Sequence, residues 1–267
     1  MLKSIHAGVR KALGAASGMG LTGKWDNRGE ARRGRTASQP MTPPSSNPIA
    51  DRRINDVLDR LHARAARQFP GLVAHYALDA VKGLVGAKRS TVGDAEYHRD
   101  KLLSIDRGQG WLIYMLCRGL QARRVVEFGT SYGVSTLYLA AAMRDQGGGL
   151  VIGTEIEPEK ARRARDHFAD AGVAELIELR EGDALETLKD CGGPVDFLLV
   201  DGFPEFARPI IEVMAPQLRK GAVVVCDNVG HFPAALALYL DFVRRPANGF
   251  VSTLLPLRGG TEFSVKT

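Results

Sequence analysis

An acidic residue closes or follows each of five successive apolar runs: Glu127, Glu155, Asp183, Asp201 and the pair Asp227-Asn228. If the runs are parallel strands, these acids gather at the carboxyl edge of one sheet, outside which ligands bind. Polar residues also collect at strand ends simply to cap the next helix. One such residue would be unremarkable; a series of five is harder to assign to capping alone. Asp201, Asp227 and Asn228 offer two carboxylates and one amide oxygen, from strands expected to be neighbours. Hard oxygen donors of this kind, with waters completing the shell, suit Mg²⁺ and less selectively Ca²⁺ or Mn²⁺. Two adjacent carboxylates repel each other without a cation. A divalent ion held there would orient a substrate hydroxyl and lower its pKa.

The second constellation is Arg124-Val-Val-Glu-Phe-Gly-Thr-Ser-Tyr-Gly-Val-Ser-Thr136. It reads as a buried strand, a turn with glycines at 129 and 133, and a helix from Gly133 to Ala142. Glycines let a ligand approach the backbone where a Cβ would clash, and a helix N-terminus presents free N–H groups. The spacing is GxxxG, not the GxGxxG of a dinucleotide pyrophosphate site, which argues against a nicotinamide dehydrogenase. Glu127 points to the same conclusion: a carboxylate repels a phosphate and attracts an ammonium. A cationic ligand with an amino-acid end, such as S-adenosylmethionine, fits; so does any α/β turn with two glycines. Glu155, about one βαβ unit further on, is placed to accept ribose hydroxyls, and Asp183 to meet an adenine amino group.

These residues need a scaffold, and the hydrophobic pattern predicts one. Strands are expected at 151–155, 176–180, 195–201 and 222–227, alternating with helices at 158–171, 184–189, 205–218 and 233–243. Strict alternation implies an α/β fold, a mostly parallel sheet with helices on both faces. Strands 250–255 and 262–265 lack an intervening helix and are expected to form an antiparallel hairpin. Upstream, Ile54, Val57, Leu58 and Leu61 make an amphipathic helical stripe. Leu72, Tyr76, Ala80 and Leu84 suggest a second helix, 88–98 a loop or short helix, and 110–120 a third. This N-terminal helical region, 51–120, is expected to cap the sheet domain of 121–267.

The 267 residues are 45% hydrophobic, enough for a sizeable core. No apolar run approaches ~18 residues, so no membrane span is expected. Cys117, Cys191 and Cys226 read as separate buried thiols, which fits a reducing, cytoplasmic setting rather than a disulfide frame or zinc site. The net charge of +6 sits in residues 1–40, with eight Lys/Arg and two Asp/Glu, leaving 28 of each in 41–267. The folded body is therefore neutral, and no nucleic-acid partner is implied. Residues 1–50, basic and then rich in proline, read as a poorly ordered arm. They are expected to be a dispensable tail or an extension upstream of a start at Met41. A transit peptide or membrane-surface helix is the less favoured reading.

From about Leu103 onward the sequence resembles the class I S-adenosylmethionine-dependent methyltransferases, and within them the cation-dependent, catechol O-methyltransferase-like group. The matching stretches are Glu127-Phe-Gly-Thr-Ser-Tyr-Gly-Val-Ser135, Glu155-Ile-Glu-Pro158, Glu181-Gly-Asp-Ala184, Val195-Asp-Phe-Leu-Leu-Val-Asp-Gly202 and Gly221-Ala-Val-Val-Val-Cys-Asp-Asn228. Each alone is weak; five in order are strong. The resemblance implies a Rossmann-like seven-stranded sheet with an antiparallel last strand. It implies that Gly129 and Ser135 line the methionine end, that Glu155 holds the ribose, and that Asp201, Asp227 and Asn228 ligate the metal. The cofactor-binding set expected from these stretches is Glu127, Gly129, Thr130, Ser131, Tyr132, Gly133, Ser135, Glu155, Ile156, Asp183, Ala184 and Asp201.

One position departs from the pattern. The family often carries a lysine base three residues after the first metal aspartate; here Pro204 stands there. His231, three residues past Asn228, is the alternative base, against the plainer reading of a surface or capping histidine. The metal alone is a third option. Phe203 and Phe232 are candidate walls for an aromatic ring, or core. The expected activity is methyl transfer to a hydroxyl of a small phenolic or catecholic acceptor, with a homodimer implied by the resemblance. The rivals are a metal-independent methyltransferase and a non-catalytic adenosylmethionine-binding protein.

Overall fold

The structure is a computed structural model that describes residues 47–84, 97, 100–257 and 259–267, with side chains 72–74 and 76–84 left aside. Most of the expected arm and of the 88–98 segment lies outside the described residues. In chain order the elements are α1 (Arg52–Leu84), α2 (Arg107–Leu120), β1 (Arg124–Phe128), α3 (Val134–Asp145), β2 (Leu150–Glu155) and α4 (Pro158–Ala171). Then come β3 (Ile177–Glu181), α5 (Ala184–Thr187), β4 (Val195–Val200), α6 (Ala207–Met214), β5 (Leu218–Cys226), α7 (Ala237–Arg244), β6 (Phe250–Leu255) and β7 (Thr261–Lys266).

The seven strands form one sheet in the order β3-β2-β1-β4-β5-β7-β6. β1 pairs in parallel with β2 and β4, and β4 with β5. β7 alone runs against the rest, inserted between β5 and β6. The expected antiparallel last strand and closing hairpin are therefore present. Chain order reverses at β1, between β2 and β4, the switch point where open α/β sheets bind ligands. β1, β2 and β4 are buried on both faces, which is why they read as unbroken apolar runs.

Two apolar cores flank the sheet. One holds the stripe Ile54, Val57, Leu58 and Leu61 of α1 against Tyr138, Leu139 and Met143 of α3 and Phe168 of α4. The other packs Ile210, Ile211 and Met214 of α6 and Tyr239 and Val243 of α7 under Leu198 and Val224. Each buried Leu or Ile of the stripe contributes about 2 kcal/mol. The two helices expected upstream are one: α1 continues through Pro70 to Leu84. Polar residues hid the start of β5, which takes in Arg219 and Lys220 before its apolar run. Helix 205–218 is shorter than expected, a 3₁₀ turn at Pro204–Phe206 followed by α6. Among the described residues no helix is long and apolar enough to cross a membrane. The three cysteines are buried and free.

α1 and α3 are joined by a polar contact inside this layer: His62 Nε2 lies 3.0 Å from the Tyr138 hydroxyl. Burial first, and then the Arg107 guanidinium, push the His62 imidazole from 6.5 down to about 4, with the Asp59 and Asp106 carboxylates opposing. The unfolded chain thus takes up the proton more readily than the folded one. The stability held by neutral His62 is full above about pH 6.5 and is lost as pH falls from there through about 4. The melting temperature of the wild-type chain should therefore drop more between pH 7.5 and pH 5 than that of His62→Gln, followed by circular dichroism.

Candidate active site

Glu127 sits inside β1, fully buried. One carboxylate oxygen accepts from the Thr130 and Thr136 hydroxyls at 2.8 and 2.5 Å. The other, Oε1, is buried with no hydrogen-bond partner. Burial raises the Glu127 pKa; the hydroxyls of Ser135, Thr136 and Thr130 pull it back, and Glu155 raises it slightly again. A buried carboxylate oxygen without a partner, beside a glycine turn, has room for a further donor, and a cationic one would also offset the buried charge.

The turn that follows is held in shape by its neighbours. Gly129 has φ +97, and a Cβ there would meet the Gly202 backbone at 2.6 Å. Gly202 in turn faces the Phe128 ring, which a Cβ would meet at 2.4 Å. The loops after β1 and β4 therefore touch backbone to backbone, and this brings Asp201 to the Glu127 turn; the Asp201 N–H donates to the Phe128 carbonyl at 2.9 Å. Gly129→Ala combines an unfavourable φ with a backbone clash and should cost about 2–4 kcal/mol, read as a lowered melting temperature with a parallel loss of cofactor affinity.

Glu155 ends β2. Its Oε1 accepts the Ile156 and Glu157 amides at 2.9 and 2.8 Å, and its Oε2 the Ser131 amide at 2.7 Å. A carboxylate has about four acceptor sites, so one, on Oε2, is left open. Ser131 has φ +52, and its Oγ is buried without a partner. Ile156 beside it is exposed. Tyr132 turns the other way, into the apolar layer, with the Arg64 guanidinium 4.6 Å and the Lys160 ammonium 6.0 Å from its ring. Gly133 (φ +85) starts α3, whose first turn carries buried Ser135. Asp183 is the N-cap of α5, accepting from the Leu185 amide at 2.9 Å. The capping reading thus holds for one of its oxygens. Ala184 is buried just beyond it.

Asp201 and Asp227 follow the ends of the neighbouring strands β4 and β5. Among the described residues no side-chain hydrogen bond or salt bridge reaches the Asp201 carboxylate. Its pKa is raised well above the ordinary value, first by burial, then by the like charges of Asp227 and Glu127. Asp227 is pushed up to about 6, chiefly by burial, with hydrogen bonds from the Asn228 backbone, Thr261 and Gln109 opposing. Asn228 has φ +62, which asparagine tolerates. Among the described residues no three His, Cys, Asp or Glu side chains cluster as a metal site; the set here is two carboxylates and an amide. Such a set still fits a hard divalent cation that keeps several waters, and the uncompensated carboxyl repulsion is the observation that makes it fit.

His231 is drawn to the same place. Its Nδ1 is 3.1 Å from Asn228 Oδ1, and its backbone N–H donates to the Asn228 carbonyl. Pro204 is buried at the start of the 3₁₀ turn and offers no titratable group. Phe203 is half-buried, and Phe232 packs against the α6–α7 core. Gln109 was not singled out by its residue type. Its side chain reaches Asp227 Oδ1 at 2.6 Å across 118 residues of sequence. The one local signal was the capping pattern of Asp106 and Gln109.

A seven-stranded sheet with a single reversed strand, an acid-guarded glycine turn after β1 and acids after β4 and β5 defines a methyltransferase-type nucleotide fold. A family model described as a methyltransferase domain matches residues 126–229. A catechol O-methyltransferase from Mycobacterium tuberculosis is 38% identical over 128 residues, 48% of this chain and 57% of that relative's length. The crystal structure of cofactor-bound Rv0187 from MTB shares 30% identity at a TM-score of 0.57, covering 66% of this chain and 87% of that one. The O-methyltransferase TomG from Streptomyces achromogenes, solved in complex with SAM, shares 28% identity at a TM-score of 0.56, covering 72% of this chain and 96% of that one. The chain belongs to the class I adenosylmethionine-dependent methyltransferases, in the catechol O-methyltransferase-like family. It spans little more than half the length of the M. tuberculosis relative, at 57%.

Proposed function

We propose that the chain transfers the methyl group of S-adenosylmethionine to a hydroxyl of a small phenolic or catecholic acceptor, assisted by a divalent cation such as Mg²⁺. The observation that carries this reading is the group of acids at one sheet edge: Glu127, buried with an orphan oxygen, and Asp201 and Asp227 without a counter-charge. Two distinct cations, an ammonium and a metal ion, would neutralise them.

In this reading Glu127 Oε1 accepts the methionine ammonium, with Gly129 and Ser135 lining that end of the ligand. Glu155 takes a ribose hydroxyl at its last open acceptor site. Thr130, Tyr132 and Gly133 shape the turn by backbone and packing. Ile156, Asp183 and Ala184 border the adenine. Asp201, Asp227 and Asn228 would hold the cation. When bound, the cation would supply the positive charge that acidifies the acceptor hydroxyl, and the cofactor the methyl group.

With Nδ1–H donating to Asn228 Oδ1, His231 presents Nε2 as the acceptor of the hydroxyl proton. With its proton held by His231, the acceptor oxygen would be free to take the methyl group that the cofactor supplies, the cofactor's sulfur being the leaving atom. The rate gain comes chiefly from holding the two reactants in line and excluding water beneath the N-terminal helices. The substrate oxygen is the nucleophile, so no covalent enzyme intermediate is required. Phe203 and Phe232 would flank an aromatic ring.

Pro204 in place of a base favours one rival, a protein that binds adenosylmethionine without turnover. The test is product detection by mass spectrometry with adenosylmethionine and a panel of phenols, catechols and aliphatic alcohols. A methylated catechol or phenol, lost in His231→Ala, supports the reading. Cofactor binding with no methylated product from any acceptor supports the rival.

A further inference from the structure

The strongest unassigned feature is a polar bridge between helix α2 and the carboxyl edge of the sheet. Gln109 is buried and its amide is oriented from both ends. The Asp106 N–H donates to Oε1 at 3.0 Å, while the Asp106 carboxylate accepts the Gln109 N–H at 2.9 Å. This capping box leaves the amide no choice of rotamer: with Oε1 facing an N–H donor, the NH₂ group must point away. It points at Asp227 Oδ1, 2.6 Å away. The Thr261 hydroxyl, at the start of β7, donates to the same oxygen at 3.3 Å.

Asp227 is therefore gripped on one oxygen by two elements, α2 and β7. The side of the carboxylate toward Ile105, Ile113 and Leu257 holds only a cavity of about 10 Å³, room for about one water. The grip on Oδ1 fixes the orientation of the carboxylate, and with it the direction of Oδ2.

We propose that Gln109 is a positioning residue for the cation site, and that it couples seating of the N-terminal helical layer to cation binding. This rests on the metal-assisted reading above. The physical logic is reciprocal: if a docked α2 aims Asp227, a bound cation must in turn hold α2 down by the same factor. Residues that orient a ligating carboxylate typically change metal affinity 10–100-fold when removed.

The test is Mn²⁺ binding, measured by titration calorimetry, to the full chain and to Gln109→Leu, with adenosylmethionine affinity as the control. The expected result is a Gln109→Leu protein whose Mn²⁺ affinity falls at least 10-fold while its adenosylmethionine affinity stays within about 2-fold, a split that general loosening would not give. Equal Mn²⁺ affinity in the two proteins overturns the role of Gln109 and leaves the metal reading standing. No Mn²⁺ binding by the wild type overturns the metal reading and this proposal with it. If Gln109→Leu does not fold, hydrogen exchange on the wild type decides: amides of 107–112 should gain protection when Mn²⁺ is added, and no change contradicts the coupling.

Discussion

Replacing Asp201 with alanine should reduce methyl transfer about 10³-fold, some 4 kcal/mol of transition-state stabilisation. The expectation follows from position. Asp201 is the carboxylate with no side-chain partner among the described residues, and at the meeting point of the β1 and β4 loops it feels the like charges of Asp227 and Glu127. If it carries the cation, its loss removes both the charge that activates the acceptor and one anchor that aligns it. The same substitution should leave the cation-free fold no less stable. A carboxylate surrounded by Asp227 and Glu127 is repelled, so Asp201→Ala or Asp201→Asn relieves repulsion rather than breaking a bond. A steady-state assay and a melting curve on one sample check both halves. Loss of activity with an unchanged or raised melting temperature is the expected pair; loss of both would mark Asp201 as structural.

The second large effect is at Glu127. Glu127→Gln keeps the shape and the Thr130 and Thr136 contacts but removes the negative charge. Hydrogen bonds to a charged partner contribute about 1.5–3 kcal/mol, and burial places Glu127 at the upper end. Adenosylmethionine affinity should fall about 100-fold, measured by calorimetry. Glu155→Gln should cost less affinity, because three of the Glu155 acceptor sites already serve backbone amides in the protein itself. Equal losses at the two positions would show that Glu127 carries no ammonium.

Both residues were legible in the sequence because each sits where an unbroken apolar run stops. Runs such as Val195–Val200 have no polar interruption, and their burial on both faces is what makes them readable. The mostly parallel sheet followed from the alternation and the closing hairpin from the missing helix between the last two strands, whereas the antiparallel last strand came from the family resemblance and the full strand order only from the structure. Where polar residues enter an element, the reading slipped. Arg219 and Lys220 masked the start of β5, and the weak stretch around Pro70 split α1 in two. Ser131 shows a different blind spot: its positive φ and unpartnered hydroxyl depend on how the β1 and β2 loops meet. Gln109 marks the boundary most clearly. Its capping box is local and could be read, but its second contact, with Asp227, exists only because the fold closes 118 residues onto each other.

Cation assistance is the step on which the proposed activity turns. The measurement that tests it most directly is the initial rate of methyl transfer to catechol in chelated buffer, followed while Mg²⁺ is titrated back. The account predicts a rate near background with EDTA and a saturable recovery with Mg²⁺ that Asp227→Asn abolishes. A rate indifferent to EDTA and Mg²⁺ would contradict it, and would leave Asp201, Asp227 and Asn228 as structural residues of a metal-independent enzyme.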